Sequence, residues 1–452
     1  MQSINPANGE KLKEFPTWDE ATLERALAAT AAATPAWQAT TFAKRAKILR
    51  AAATELRANN DRYARLITLE MGKLLREAKA EIEKCALGCD FYAENAEEFL
   101  SDESIATDAT KSYVAYQPLG TVLAIMPWNF PFWQVFRFAA TALMAGNTAV
   151  LKHASNVPQC ALAIEEIFHK AGLPKDVFRT LLITSKQVER VIADRRIHAV
   201  TLTGSDIAGR HVARAAGANL KKCVLELGGS DAFVVLDDAD LGATAAGGCL
   251  GRMQNAGQSC IAAKRFILVD AIADEFLARF KEVLEALRPG DPMKEETTLA
   301  PLARADLRDE LHQQIQDSIA AGAQPLLGCK PLPGPGAYYA ASILDQVRPG
   351  MRAYDEEFFG PVAIVLRARD EADALRIAND SRFGLGASVW TGDPKRGEKF
   401  ARQLNAGSCF VNGIVKSDPR LPFGGVKDSG YGRELSVHGI REFVNIKTVW
   451  IK

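Results

Sequence analysis

The chain has 452 residues, and its 55 lysines and arginines balance its 55 aspartates and glutamates, so it carries no formal net charge. This balance removes any whole-chain electrostatic reason to bind nucleic acid or an anionic membrane. The length predicts two or more structural units, and no apolar run reaches the roughly 20 residues that cross a bilayer.

The N-terminus and the cysteines indicate a cytoplasmic protein. Residues Met1 to Pro6 contain neither a basic start nor an apolar run, so no signal peptide is expected. The eight cysteines are scattered, which is typical of reduced thiols and not of a disulfide framework. Cys85 and Cys89 are four residues apart on a predicted helix, but no His or Cys pair nearby completes a zinc site, and no metal is expected.

The first half of the chain changes texture near residue 113. Helices are predicted for the first hundred residues, and the capping-box pattern Thr17-Trp-Asp-Glu20 predicts where the first long helix begins. Beyond that point, strands alternate with helices, which predicts a doubly wound parallel sheet. The predicted strands are 113–116, 120–126, 148–152 and 198–202, and the predicted helices are 139–145 and 157–171.

The second half repeats this alternation and predicts a second α/β domain. Its predicted strands are 232–236, 265–269 and 362–366, and its predicted helices are 272–287 and 370–378. The segment 442–451 alternates like a strand but has no obvious partner, so it could add to another subunit.

Cys260 is the first candidate for chemistry. It follows a glycine-containing turn, Gly257-Gln-Ser-Cys260, and precedes small residues. A turn or helix N-terminus supplies backbone N–H groups that favour a thiolate and a neighbouring oxyanion. Most lone cysteines are inert and buried, so this motif alone is weak.

Two polar residues next to predicted strands are further candidates. Glu226 ends an apolar strand before two glycines, and a buried carboxylate there can act as a general base on water. Asn129 lies between Pro127 and Pro131, where its side-chain amide can stabilise developing negative charge. The alternatives are a salt-bridged glutamate at a strand end and a structural asparagine turn.

The strand ends also suggest a nucleotide site. Lys152 ends one predicted strand, and Thr203-Gly-Ser205 follows the next, with Gly209 one helical turn later. Ligands bind outside the carboxyl ends of strands in open α/β sheets. Because the motif is not GxGxxG, it is weak evidence alone and often marks only a tight turn.

Seven motifs occur in order along the chain: Trp128-Asn-Phe-Pro131, Lys152, Thr203-Gly-Ser205, Glu226-Leu-Gly-Gly229, Gly257-Gln-Ser-Cys260, Glu357-Phe-Phe-Gly-Pro361 and Pro422-Phe-Gly-Gly425. This ordered set resembles the aldehyde dehydrogenase superfamily over nearly the whole chain. The resemblance implies an α/β fold with two doubly wound parallel-sheet domains and a β oligomerisation arm. It implies an NAD(P)-binding domain at 1–100 and 119–228, a catalytic domain at 229–424, and an arm at 101–118 and 436–452.

The resemblance also assigns roles. Cys260 looks like the nucleophile, Glu226 like the base that activates the deacylating water, and Asn129 like an oxyanion donor together with the Cys260 backbone N–H. Substrate and cofactor are then expected to enter a tunnel from opposite sides. The residues that resemble the cofactor site of the family are Trp128, Lys152, Ser155, Gly204, Ser205, Glu357 and Phe359.

Arg137 and Arg420 are the predicted substrate contacts. Arg137 stands where similar succinate-semialdehyde dehydrogenases carry an arginine, and a guanidinium suits the distal carboxylate of a semialdehyde. The alternative is an arginine that pairs with a local carboxylate. The segment Lys152-His-Ala-Ser155 and the C-terminal end most resemble the shorter bacterial succinate-semialdehyde dehydrogenases.

Several choices stay open at this point. Ser155 stands where relatives that prefer NAD often have a glutamate, so NADP should at least be tolerated, and the cofactor is NAD or NADP. Glutarate semialdehyde is an alternative substrate, and a CoA-acylating enzyme or a non-enzymatic binding relative are alternative classes. A homodimer or a homotetramer is expected.

Overall fold

The nucleotide-type sheet of the computed structural model, which describes residues 1–452, has six strands. Neighbouring strands are parallel, except that the short edge strand Gly430–Tyr431 is antiparallel. Thr121–Met126 is the first strand of this sheet along the chain; the next two strands add on one side of it, and Ile197–Thr203 then adds on the other side. This reversal of strand order opens a crevice between Thr121–Met126 and Ile197–Thr203. In spatial order the strands are Gly430–Tyr431, Lys222–Glu226, Ile197–Thr203, Thr121–Met126, Thr148–His153 and Phe178–Thr180.

Helices cover this sheet. The helix Trp133–Met144 is mostly apolar and is buried on every side, its polar residues Gln134 and Arg137 included. The predicted start of the first long helix is wrong: the helix begins at Glu20, and Asp19 caps it by accepting from the Thr22 backbone N–H at 2.8 Å. The other helices of this half are Phe42–Ala58, Asn60–Met71, Leu75–Phe99, Pro158–Lys170, Val188–Ala193 and Asp206–Ala218.

The second sheet has seven strands, and the loop that contains Cys260 leads into the middle strand, Ala263–Val269. Neighbouring strands are parallel, except that the edge strand Gln324–Leu327 is antiparallel to Ser342–Asp345. In spatial order the strands are Gln324–Leu327, Ser342–Asp345, Val362–Ala368, Ala263–Val269, Asp231–Val235, Gly386–Trp390 and Ser408–Val411. Its helices are Leu241–Met253, Asp270–Glu285, Ala305–Ala320, Arg352–Asp355, Glu371–Asn379 and Pro394–Ala401. The predicted α/β class with two parallel-sheet units is confirmed.

A third sheet contains the C-terminal strand. Val444–Ile451 pairs antiparallel with Lys111–Pro118, which also pairs with Glu103–Ser104. The terminal strand therefore has a partner within the chain, while its outer edge is free. Two further sheets have two short antiparallel strands each: Gln2–Ile4 with Lys11–Glu14, and Phe383–Gly384 with Val426–Lys427. A short helix spans Ser436–Ile440.

The largest hydrophobic core joins the first sheet to the end of the chain. It holds 55 buried residues from the early helices and from the sheet, together with Phe423, Leu435, Phe443 and Val444. This packing brings the segment around Glu434 against the helix that carries Arg137. No helix combines the length and apolar character that a membrane crossing requires.

Candidate active site

Cys260 follows a strained turn at the end of the helix Leu241–Met253. Asn255 and Ala256 have φ values of 54° and 52°, a conformation that costs L-residues free energy. The Asn255 side chain offsets this strain by donating to the carbonyl oxygens of Asn129 at 2.9 Å and Gln258 at 3.0 Å. The turn thereby ties the cysteine loop directly to the Asn129 loop.

A buried cation lies under the cysteine. Lys264 Nζ donates to the carbonyl oxygens of Ser259 and Cys260, both at 2.8 Å, and lies 3.2 Å from Glu357 Oε1. Burial raises the pKa of Cys260 to about 12, and the charges of Lys264 and Arg137 act in the opposite direction. The thiol is therefore protonated near neutral pH until a base or a ligand changes its surroundings.

The Asn129 loop is fixed by a second buried cation. Lys73 Nζ donates to the Asn129 carbonyl oxygen at 2.9 Å and forms an ion pair with Glu81, and both side chains are almost fully buried. Glu81 in turn accepts from the backbone N–H groups of Phe132 and Trp133. Asn129 Nδ2 points at the Gln258 carbonyl oxygen at 3.2 Å, close to the cysteine loop.

Glu226 is a buried carboxylate without a partner. It ends the strand Lys222–Glu226 with 2% of its surface exposed, and neither carboxylate oxygen has a hydrogen-bond partner. Burial and then the charge of Glu434 raise its pKa well above the usual range, while Arg137 and Arg433 oppose the shift. A side chain at Gly424 would come within 2.7 Å of Glu226 Oε1, so the glycine leaves room for the carboxylate.

Two cavities meet at Cys260. One, of about 240 Å³, is lined by six of the residues predicted for the cofactor and for catalysis together with Cys260: Trp128, Asn129, Gly204, Ser205, Glu357 and Phe359. The other, of about 120 Å³, contains Arg137, Lys84, Trp133 and Ser417 among its lining residues. Cys260 thus lines both cavities, and entry of substrate and cofactor from opposite sides stays a prediction.

The larger of these two cavities has the features of a nucleotide site. Ser205 caps the helix Asp206–Ala218 by accepting from the Ala208 backbone N–H at 3.3 Å, and a helix N-terminus attracts phosphate. Trp128 and Phe359 form an edge-to-face pair with ring centroids 5.7 Å apart. Glu357 accepts from the Gly229 N–H at 3.1 Å, which places its carboxylate at the same wall.

Lys152 and Ser155 lie beyond this cavity. Lys152 is half-buried, makes no ion pair, and has a pKa lowered by burial. Ser155 is exposed in the wall of a separate cavity of about 580 Å³, beside Asn156. Both polar atoms of the Asn156 amide are buried and lack a partner. A free cation, a hydroxyl and an unpartnered amide fit the phosphorylated end of a nucleotide.

The two predicted substrate arginines differ in their surroundings. Arg137 lines the smaller cavity, but it forms an ion pair with Glu434, and only 1% of its side chain is exposed. Its guanidinium also lies 4.7 Å from the centre of the Phe423 ring. Arg420 is 76% exposed, contacts Asp418 through both carboxylate oxygens, and does not line the cavity.

Sequence reasoning missed other residues around the cysteine. They are Lys84, Trp133, Ser417, Lys264 and Glu434, and none stands in a short motif that predicts its neighbour. Lys84 and Ser417, for example, contact each other across 333 positions of the chain. Only the folded arrangement of the two sheets shows that they share a cavity.

A doubly wound sheet with a nucleotide crevice and a cysteine at its mouth defines a nicotinamide-dependent dehydrogenase. The chain belongs to the aldehyde dehydrogenase family, whose model matches residues 1–449. The resemblance inferred from the seven motifs is confirmed.

Relatives and solved structures match over the full length. A probable succinate-semialdehyde dehydrogenase [NADP(+)] of Synechocystis is 51% identical over 100% of this chain and 99% of its own length. Succinate-semialdehyde dehydrogenase [NADP(+)] 1 of Mycobacterium tuberculosis is 49% identical with the same coverage. The crystal structure of succinic semialdehyde dehydrogenase from Streptococcus pyogenes in complex with NADP+ is 38% identical, covers 100% of this chain and 99% of its own, and has a TM-score of 0.98.

Proposed function

We propose that this enzyme oxidises succinate semialdehyde to succinate, with NADP as the electron acceptor. The observation that carries the proposal is the position of Cys260 between two cavities, one of them lined by cationic side chains. The cationic cavity measures about 120 Å³, below the roughly 300–1,000 Å³ typical of drug-sized ligands, so it favours a small aldehyde. The names of the full-length relatives point to the same substrate.

The proposed reaction begins at the thiol. Cys260 gives its proton to water, and its sulfur bonds to the aldehyde carbon while the carbonyl π electrons move to the oxygen, which becomes an oxyanion. Asn129 Nδ2 and the Cys260 backbone N–H donate to that oxygen. Trp128, Ser205, Glu357 and Phe359 would hold NADP in the larger cavity, and NADP would supply the acceptor for the hydride of this carbon. Loss of that hydride leaves a thioester on Cys260.

Glu226 completes the cycle. Its unpartnered carboxylate takes a proton from water, the water oxygen bonds to the thioester carbon, and the carbon–sulfur bond breaks to release the acid and free Cys260. A buried carboxylate whose pKa is raised is a stronger base than one in water, as this step requires.

The cofactor assignment favours NADP over NAD. Lys152, near the end of the strand Thr148–His153, has no carboxylate partner, and Ser155 and Asn156 in the following loop add a hydroxyl and an unpartnered amide. No acidic side chain stands at position 155 to repel a 2′-phosphate. NAD is therefore expected to bind, but more weakly.

We also propose a domain division, an oligomeric assembly and a cellular compartment for this enzyme. Residues 1–100 and 119–228 would form the NAD(P)-binding domain, 229–424 the catalytic domain, and 101–118 with 436–452 the arm through which a homodimer or homotetramer forms. Eight free cysteines support a reducing, cytoplasmic compartment.

The test follows the absorbance of reduced nicotinamide with succinate semialdehyde or butanal, with NADP or NAD, and with or without CoA. We expect turnover without CoA, a preference for the semialdehyde and NADP, and loss of turnover in Cys260→Ala but not in the matched control Cys249→Ala. Equal rates with both aldehydes would leave only a general aldehyde dehydrogenase, and strict CoA dependence would make the enzyme an acylating one.

A further inference from the structure

Lys84 places an ammonium group at the wall of the cavity that contains Cys260. It projects from the helix Leu75–Phe99, and its Nζ donates to Ser417 Oγ at 2.7 Å. The same ammonium lies 4.6 Å from the centre of the Trp133 ring. The cation is thus held between an aromatic face and a hydroxyl while it faces the cavity.

No carboxylate neutralises Lys84. The acidic groups near it are already paired, since Glu81 binds Lys73 and Asp418 binds Arg420. The neighbouring cation in the wall, Arg137, is neutralised by Glu434. A semialdehyde carboxylate that paired with Arg137 would have to compete with a buried partner, which makes that exchange costly.

Ser417 offers a second donor at the same position. Its Oγ accepts from Lys84 Nζ and, at 3.1 Å, from Trp133 Nε1, and it donates to no protein group. The hydroxyl hydrogen is therefore free to point into the cavity. An ammonium and a hydroxyl that converge in this way match the two oxygens of one carboxylate.

We propose that Lys84, assisted by the Ser417 hydroxyl, is the specificity-determining residue that binds the distal carboxylate of the aldehyde substrate. The inference rests on the proposed function, because it names the group that selects a semialdehyde over a neutral aldehyde. Arg137 then has a positioning role, in which it neutralises Glu434 beside the cavity.

The charge of Lys84 changes near physiological pH. Burial and then the charge of Arg137 lower its pKa to about 8, while Cys85, Glu81 and Asp418 act in the opposite direction. Lys416, in the facing loop, adds positive charge at the rim. Lys84 is cationic below this pKa, so KM for succinate semialdehyde should rise above about pH 8, and KM for butanal should not follow it.

The experiment compares kcat/KM for succinate semialdehyde and butanal in the full-length enzyme with NADP, across the pH range. Lys84→Met removes the charge at similar length, and Lys84→Arg restores it. Lys79→Met is the matched control, because Lys79 lies on the same helix, pairs with Asp61 at the surface and lines no part of the cavity.

We expect Lys84→Met to lower kcat/KM for the semialdehyde at least about 30-fold more than for butanal, mainly through KM, and to abolish the alkaline rise in KM. Lys84→Arg should recover most of the preference, and Lys79→Met should behave like the native enzyme. A Lys84→Met enzyme that keeps its preference, or that loses both substrates equally, would overturn the inference while the proposed function stands. Loss of preference in Lys416→Met alone would assign recognition to the rim and also overturn it. A native enzyme without any preference would instead remove the proposed substrate, and this inference with it.

Discussion

Glu226 illustrates how a single buried residue opposes stability in a site built for catalysis. Its carboxylate has no hydrogen-bond partner, and burial raises its pKa above the value of 4.5 expected in the unfolded chain. Above pH 4.5 the carboxyl of Glu226 ionises in the unfolded state, which lowers the free energy of that state. In the native state it stays protonated until the pH passes its higher native pKa. The stability cost of Glu226 grows through that window.

Glu226→Gln should consequently stabilise the protein and inactivate it. We expect kcat to fall by roughly 10²–10⁴ because no base remains for the thioester, while Tm rises by a small amount that corresponds to about 1 kcal/mol at pH 8. The Tm difference should shrink as the pH falls toward 4.5. Thermal melts and NADP reduction across pH check both effects, and a variant that melts lower than the native enzyme at pH 8 would contradict this account.

At the scale of elements, an ion pair joins the helix Trp133–Met144 to the C-terminal segment. Arg137 and Glu434 have 1% and 5% of their side chains exposed, so removing one partner leaves an uncompensated buried charge. Arg137→Met should therefore lower the free energy of unfolding by about 3–5 kcal/mol, and the double variant Arg137→Met/Glu434→Gln should recover part of the loss. Denaturant titration measures both.

The control for this pair is Arg402→Met, which breaks the exposed pair with Glu398 on one helix and should leave the unfolding midpoint almost unchanged. If the double variant is no more stable than Arg137→Met, the loss comes from packing against Phe423 and not from the stranded carboxylate. Recovery in the double variant would show that Arg137 stabilises the fold by compensating the buried Glu434 carboxylate.

Local patterns were sufficient for some elements and insufficient for others. The strands around 121–126 and 148–153 follow from continuous apolar runs, and the motifs that carry Asn129, Glu226 and Cys260 each lie beside such a strand or a turn. The family resemblance predicts Arg137 but not its partner Glu434, because the pair forms only when the chain end packs on that helix. The same reason hid Lys84 and the partner of the terminal strand.

At the scale of the whole molecule, the C-terminal strand forms a sheet edge that carries exposed apolar side chains. Val444–Ile451 pairs on one side with Lys111–Pro118, and its other side is free. On one face of this strand, Ile446 and Trp450 are 62% and 49% exposed, which is unusual for large apolar side chains in a strand of eight residues. A second copy of the chain would cover both.

On the proposal that the chain assembles through this arm, Ile446→Asp/Trp450→Asp should shift the enzyme toward the monomer, because two carboxylates would be desolvated in the contact. Light scattering after size-exclusion chromatography measures the mass, with Lys447→Glu, on the opposite face, as the control that leaves assembly intact. An unchanged mass in the double variant would place the subunit contact elsewhere. Since Phe443 and Val444 belong to the same core as the Arg137 helix, loss of assembly should also lower Tm, and the two measurements together would show how far the site depends on the arm.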